Sequence, residues 1–211
     1  MKRNAFYSCP SCSTVHVVSV EDASMIVCRV CSMVITENAS DEPLLVAKVP
    51  EDWSFLQIGS AGEYKNNAFT IVGRVRLQLR NDYKNFWCAV YSTGKCLWIA
   101  ESFGSFRVFT TSWQRYKNDA TKLRAGKTIH LGGNIAMQGE YVERCENLRF
   151  EGEIGPWNLF RPGFFVVQAS RDSGETAIFT IYRDTVDILT GERVSSEDLK
   201  LTNILEWNEW K

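Results

Sequence analysis

Two C-x2-C pairs near the N-terminus, followed by roughly ten short strand-like segments and few helical ones, predict a mainly β protein. In the predicted architecture, a small zinc ribbon precedes a β-barrel or β-sandwich-like body. Aromatic residues form 12% of the 211 residues and include seven tryptophans, which favour strands and a large packed interior. The predicted domains are the ribbon (1–40), a linker (41–55) and the β-rich domain (56–211), which is either one unit or two halves, 56–125 and 126–211.

The two cysteine pairs are Cys9 with Cys12 and Cys28 with Cys31, and fifteen residues separate the pairs. A two-residue gap lets both thiolates of a pair reach one ion at about 2.3 Å, and two pairs complete a tetrahedron. We therefore expect a structural Zn²⁺ bound by these four cysteines, with no position left open for a catalytic water. Two disulfides are the alternative, but they require an oxidising compartment, for which nothing in the sequence argues.

The segment between the two cysteine pairs has the pattern of a ribbon. Residues 14–20 and 24–27 are strand-like and are joined by a turn at 21–23. Ser13 and Ser32 follow the second cysteine of each pair, where glycine usually eases the turn. Because about forty residues hold too little core to fold alone, metal binding and folding of the ribbon should be one event.

The body begins after a polar stretch, 38–43, that ends in a proline. Residues 69–80 alternate between apolar and polar side chains, and this period of two predicts a strand with one buried and one wet face. Residues 86–91 and 97–101 flank a turn containing Gly94, which predicts a hairpin. Further strands are predicted at 105–110, 141–145, 147–154, 164–169 and 176–182, then a hairpin at 186–194 and a short helix capped by Ser195.

Several stretches of the body resemble successive motifs of a bacterial family, domain of unknown function 4178. They are residues 69–75, residues 87–91 leading through Gly94 to 98–101, and residues 152–157, which end in Pro156-Trp157. Residues 56–59 also resemble the start of the family's domain, and many of its members carry an N-terminal four-cysteine ribbon. The resemblance covers about 56–201, and it implies a bacterial, cytoplasmic protein of this architecture without implying a particular activity.

The N-terminal residues also favour a cytoplasmic location. Lys2 and Arg3 are not followed by the apolar segment of a secretory signal. The longest apolar runs, such as 86–91, have the length of a strand and fall far short of the ~20 residues that cross a bilayer. We therefore expect no membrane span.

Motifs of enzyme chemistry are missing from the sequence. The chain has two histidines, His16 and His130, and both lie in strand-like segments where a structural role is the simpler interpretation. It contains neither G-x-x-x-x-G-K-[ST] nor G-x-G-x-x-G. We therefore expect no catalytic residue and identify no small-molecule substrate.

The net charge of −1 hides a strong polarity along the chain. Residues 1–64 carry −4, residues 65–127 carry +9 and residues 128–211 carry −6. Basic side chains near aromatic ones are typical of proteins that track single-stranded nucleic acid. The candidate contacts to an anion or nucleic acid are Arg74, Arg76, Arg80, Arg115 and Lys117. The alternative is that the basic block packs against the acidic C-terminal half or meets solvent.

These observations favour a non-enzymatic zinc-ribbon β module that binds another macromolecule, foremost a protein. Nucleic-acid binding through the basic block 65–127 is the second hypothesis. An enzyme with an unrecognised site in the β body is the third, and a deep pocket gathering Glu101, Trp98 and an arginine would favour it.

Overall fold

The computed structural model describes residues 1, 3–36, 47–102, 104–110, 113–132, 135–158 and 162–205. Most of the first half of the predicted linker therefore lies outside the described residues. The part of the chain that is described forms fifteen β-strands and one 3₁₀ turn, Ala120–Lys122, which confirms the mainly β prediction. No helix in these ranges is long and apolar enough to cross a membrane.

The strands follow one another along the chain with short connections. They are β1 (Phe6–Ser8), β2 (Val15–Val17), β3 (Met25–Val27), β4 (Val34–Ile35), β5 (Ala61–Tyr64), β6 (Asn67–Leu79), β7 (Tyr83–Tyr91), β8 (Cys96–Ser102), β9 (Ser105–Phe109), β10 (Gln114–Arg115), β11 (Thr128–Gly132), β12 (Ile135–Ile154), β13 (Phe165–Ser170), β14 (Glu175–Tyr182) and β15 (Thr185–Val194).

Eight strands of the body form a closed circuit of antiparallel pairs, in the order β6-β7-β8-β9-β15-β14-β13-β12 and back to β6. The circuit closes because β12, with twenty residues, changes partner along its length. Its residues 138–144 pair with β13, and its residues 145–152 pair with β6. Irregular register occurs in both ladders, between Gly139 and Tyr141 and between Cys145 and Asn147. Such bulges bend a strand, so they help β12 serve two neighbours.

The largest hydrophobic core lies inside this circuit, because each of the eight strands contributes a buried side chain to it. The contributors include Val75, Phe86, Trp98, Phe109, Cys145, Val166, Ile178 and Leu189. Trp157 lies among them, with its ring centroid 5.4 Å from that of Phe86 and 4.9 Å from that of Trp98. Two smaller cores cover outer faces of the strands, one around Trp87 and one around Phe179.

β6 matches the predicted strand 69–80 in position but not in its two faces. The apolar side chains Val75, Leu77 and Leu79 enter the main core, as expected. Arg74 and Arg76 point to the other face and are buried as well. The expectation of a wet face is therefore wrong at these two positions, because the backbone of Pro50 and the side chain of Asp52 reach over them.

The short helix predicted after Ser195 does not form, and residues 196–200 make turns instead. Ser195 and Asp198 exchange the expected capping bonds, with the Ser195 hydroxyl donating to the Asp198 carboxylate at 2.9 Å. Leu199 is then buried in the core around Trp87, and Thr202 bridges to Ala61. These contacts require an extended chain after one turn, so they override the local helix signal.

Candidate metal centre

The four predicted ligands come together. The Sγ atoms of Cys9 and Cys31 lie 3.5 Å apart, those of Cys12 and Cys28 lie 3.6 Å apart, and all four lie within 4.8 Å of one another. Sulfur atoms bound at about 2.3 Å around one tetrahedral ion would be about 3.8 Å apart. A disulfide needs about 2.05 Å, so the four cysteines are free thiols. Their arrangement fits a metal ion.

Each cysteine pair sits on a knuckle, and the two knuckles have the same backbone geometry. The amide of Ser13 donates to the carbonyl of Cys9 at 2.9 Å, and the amide of Ser32 donates to that of Cys28 at 2.8 Å. The φ angles of Ser13 and Ser32 are 59° and 60°, in the left-handed region that glycine adopts most easily. The two serines thus take up the conformation for which glycine is the usual choice.

The local hydrogen bonds favour a thiolate at Cys12. Its Sγ lies 3.2 Å from the Thr14 hydroxyl, and bonds from the hydroxyl and the amide of Thr14 lower the pKa of Cys12 to about 6. Metal ions bind cysteines in the thiolate form. His16 lies in β2 and does not belong to the cluster.

The ribbon is joined to the body by strand pairing. β3 pairs with the end of β12, where Met25, Ile26 and Val27 lie opposite residues 152–154. β2 pairs with β1 in a separate two-stranded sheet, so the two strands between the cysteine pairs do not pair with each other. One half of the ribbon is therefore an extension of the body's large sheet.

Side chains reinforce this attachment from both partners. The Glu153 carboxylate of β12 accepts hydrogen bonds from the amides of Ser19 and Val20 at 2.7 and 3.1 Å. The Arg3 guanidinium donates to the carbonyls of Thr93 and Ser92, in the turn between β7 and β8, at 2.6 and 2.5 Å. The cysteine cluster consequently lies in a unit that grips the body at two separate places.

Comparisons of the chain with protein-family models, curated proteins and solved structures found no match. Membership of the domain of unknown function 4178 family stays a prediction.

Two of the arginines predicted to contact an anion, Arg74 and Arg76, are engaged inside the protein. Asp52 Oδ2 lies 3.2 Å from Arg74 Nη1 and 3.2 Å from Arg76 Nη2, and it accepts a hydrogen bond from Asn85 at 2.8 Å. Arg74 also pairs with Glu151 at 2.7 Å. Asp52 carries no motif that would single it out, so sequence reasoning missed it. In this structure, neither arginine is available to a phosphate.

The other three candidate contacts lie on separate parts of the chain. Arg80 follows β6 and is exposed, and Lys117 is exposed after β10. Arg115 lies opposite Asp187 in the β10–β15 ladder, and its Nε is 3.4 Å from the Asp187 carboxylate.

Ion pairs join the basic block 65–127 to the acidic C-terminal half at four places among the described residues. The pairs are Lys65–Glu192, Arg74–Glu151, Arg107–Glu140 and Arg115–Asp187, at 2.9, 2.7, 3.4 and 3.4 Å. Some of the positive charges of the basic block are thus paired with negative charges of the C-terminal half within the fold.

Glu101 does not join Trp98 and an arginine in a pocket. Its side chain lies on the face opposite Trp98, because alternate residues of β8 point in opposite directions. There it accepts hydrogen bonds from the Ser54 hydroxyl at 2.5 Å and from the Trp87 indole at 2.8 Å. Burial raises the pKa of Glu101, and the residue is only 5% exposed. These contacts give the Glu101 carboxyl group a structural role, because it links Ser54 to Trp87.

Lys84 is a buried basic residue that no sequence pattern singled out. It is 3% exposed, and its ammonium donates to the Gln168 side chain at 2.6 Å and lies 4.7 Å from the centre of the Tyr141 ring. Burial, together with repulsion from Arg107, lowers the pKa of Lys84 to about 7. Its surroundings inside the circuit therefore favour the neutral amine.

Proposed function

We propose that this protein is a non-enzymatic β module in which a structural Zn²⁺ holds the N-terminal ribbon, and that the module binds another protein. The observation that carries the proposal is the cluster of four free thiols on a ribbon whose strand β3 continues the body's sheet. Metal at this point orders both the ribbon and the edge of the body.

The donor set supports zinc in a structural role. Four thiolates suit a soft tetrahedral ion, and a closed set of protein ligands leaves no position for water or substrate. The four cysteines would hold the ion, and the ion would supply folding energy rather than chemistry.

The surface of the ribbon supports a protein partner. Phe6, Val15, Val17 and Val30 are 74%, 51%, 49% and 61% exposed. Phe6 and Val17 are direct neighbours across the β1–β2 ladder, with Val15 on the same face. A contiguous exposed apolar patch is a typical feature of a protein–protein interaction site.

Native mass spectrometry before and after a chelator tests the metal. We expect one zinc per chain, lost on chelation together with a fall in the unfolding temperature. Cys28→Ser should have the same effect, whereas Ser11→Ala, a change at an exposed position of the first knuckle, should keep the zinc. An unchanged mass after chelation of the folded protein would refute the metal site.

Nucleic-acid binding remains the second candidate because one stretch of the basic block is exposed. Lys117, Lys122, Arg124 and Lys127 are all on the surface, with Asp119 as the acid among them. This candidate predicts affinity for single-stranded nucleic acid that falls steeply with salt and weakens in a Lys122→Glu/Lys127→Glu variant. Arg74→Ala should leave that affinity unchanged, and binding that is insensitive to salt would exclude the candidate.

A further inference from the structure

The two-stranded sheet β1–β2 leaves the outer edge of β2 unpaired among the described strands. Backbone bonds at both ends of the ladder, from Val18 to Ala5 and from Cys9 to Thr14, set the alternation of bonded pairs. That alternation makes Tyr7 and His16 a bonded pair. The N–H and C=O groups of Val15 and Val17 therefore point away from β1, toward the free edge.

This free edge forms one wall of a groove of about 560 Å³. The rest of the lining comes from residues 26–29 and Ser32, from residues 47–49, from Ile58 and Val72, and from residues 150–153 of β12. One residue of an added strand occupies about 160 Å³, taking a rise of ~3.3 Å, a strand spacing of ~4.8 Å and a sheet spacing of ~10 Å. The groove thus has room for about three or four extended residues, which matches the three residues of β2.

The charges of the groove favour an acidic occupant. Glu151 is already paired with Arg74, and Glu153 accepts from the amides of two ribbon residues. Arg29 and Lys48 also line the groove, and both are exposed. The amide bonds do not neutralise Glu153, so Arg29 and Lys48 face this one unpaired carboxylate, and the charge balance of the described groove residues is positive.

We propose that β2 receives an extended segment of a partner protein as a third strand of the β1–β2 sheet. The segment would alternate β-branched or apolar residues, which continue the exposed row of Phe6, Val15 and Val17, with acidic residues that meet Arg29 and Lys48. This inference rests on the proposed function and names its binding mode, strand addition to a free edge.

A second copy of the chain fits this edge less well than a single strand does. The β2 of the second copy would itself be recessed between the same groove walls, and it carries β1 on its other side. Two such edges would have to meet through their own walls, whereas a lone extended peptide enters the groove without displacing them.

Selection of a random ten-residue peptide display library on the full-length, zinc-loaded protein tests the proposal. We expect enriched peptides that alternate apolar and acidic residues, with affinity measured by fluorescence anisotropy. An Arg29→Glu/Lys48→Glu variant should weaken them at least tenfold, since both side chains are exposed and the variant should fold. Lys95→Glu/Arg183→Glu, the same charge change at exposed positions that do not line the groove, should not weaken them.

Backbone pairing is tested separately from charge. Two peptides are compared, each N-methylated at every second amide but at opposite sets of positions. One should lose binding and the other should keep it, because only alternate residues of an added strand bond to β2. Val17→Pro, which removes one edge N–H, should also abolish binding while the protein keeps its zinc.

The other outcomes overturn defined parts of the proposal. Peptides that bind equally well to the Arg29→Glu/Lys48→Glu variant would refute the β2 site while leaving a protein-binding function in place. Failure to enrich any peptide would refute strand addition at β2, because a linear segment is its proposed ligand, and would not count against a partner that binds as a folded domain. Self-association of the free chain that Val17→Pro abolishes would assign the edge to a second copy instead of a partner.

Discussion

Removing the carboxylate of Asp52 should destabilise the protein far more than removal of an exposed acid. The Asp52 side chain is only 5% exposed and faces Arg74, Arg76 and Asn85. In Asp52→Ala, Arg74 keeps Glu151 as a partner. Arg76 keeps the Pro50 carbonyl at 2.8 Å and its stacking on Tyr83 at 3.8 Å, but its charge stays buried without a carboxylate.

Breaking a buried ion pair from one side costs about 3–5 kcal/mol because the remaining charge is left uncompensated. For a chain of this length, each kcal/mol corresponds to roughly 2–4 °C, so the unfolding temperature of Asp52→Ala should fall by roughly 6–20 °C. Asp52→Asn should lose less, because the amide oxygen still accepts hydrogen bonds. Asp172→Ala, at an exposed position, serves as the matched control and should leave the temperature unchanged.

Thermal and urea unfolding at pH 7 measure these differences. Asp52→Ala combined with Arg76→Met should cost less than the sum of the two single changes, because the double variant leaves no unpaired charge at position 76. Additive costs, or an Asp52→Ala protein as stable as the Asp172→Ala control, would refute the assigned role of Asp52 as the shared partner of the two arginines.

Three further predictions follow from close packing and burial. Gly73→Ala should cost about 1–3 kcal/mol or more in urea unfolding, because the new Cβ would lie 1.9 Å from the carbonyl oxygen of Glu153; wild-type stability would disprove the close approach. Trp157→Ala should cost about 3–5 kcal/mol, since its ring packs on Phe86, Trp98 and Trp113, and a cost below 1 kcal/mol would contradict that packing. Between pH 7 and about 10.5, Lys84 is protonated in the unfolded chain but is a neutral amine in the folded protein. The stability of the wild type relative to Lys84→Met should therefore rise with pH over this range. A stability difference that does not vary with pH would show that Lys84 has an ordinary pKa.

The spacing of the cysteines was enough to predict the cluster, because each C-x2-C pair is closed by local backbone bonds within one knuckle. The alternation in 69–80 and the turn at Gly94 likewise predicted β6 and the β7–β8 hairpin, since these signals act between near neighbours in the chain. The prediction of a helix after Ser195 is wrong because Leu199 and Thr202 contact residues more than a hundred positions away in the sequence.

The sequence by itself determined which residues could bind a metal and which side chains share a face of a strand. Only the tertiary structure decided what covers each face, because that depends on segments distant in sequence. Asp52 buries Arg74 and Arg76, although periodicity alone assigns them to solvent. β12 brings β3 into the body's sheet, and among the described strands β2 pairs only with β1, although β2 and β3 flank one turn of the ribbon. Local sequence patterns indicate which residues form a strand, but the strands that pair with it depend on segments far away in the sequence.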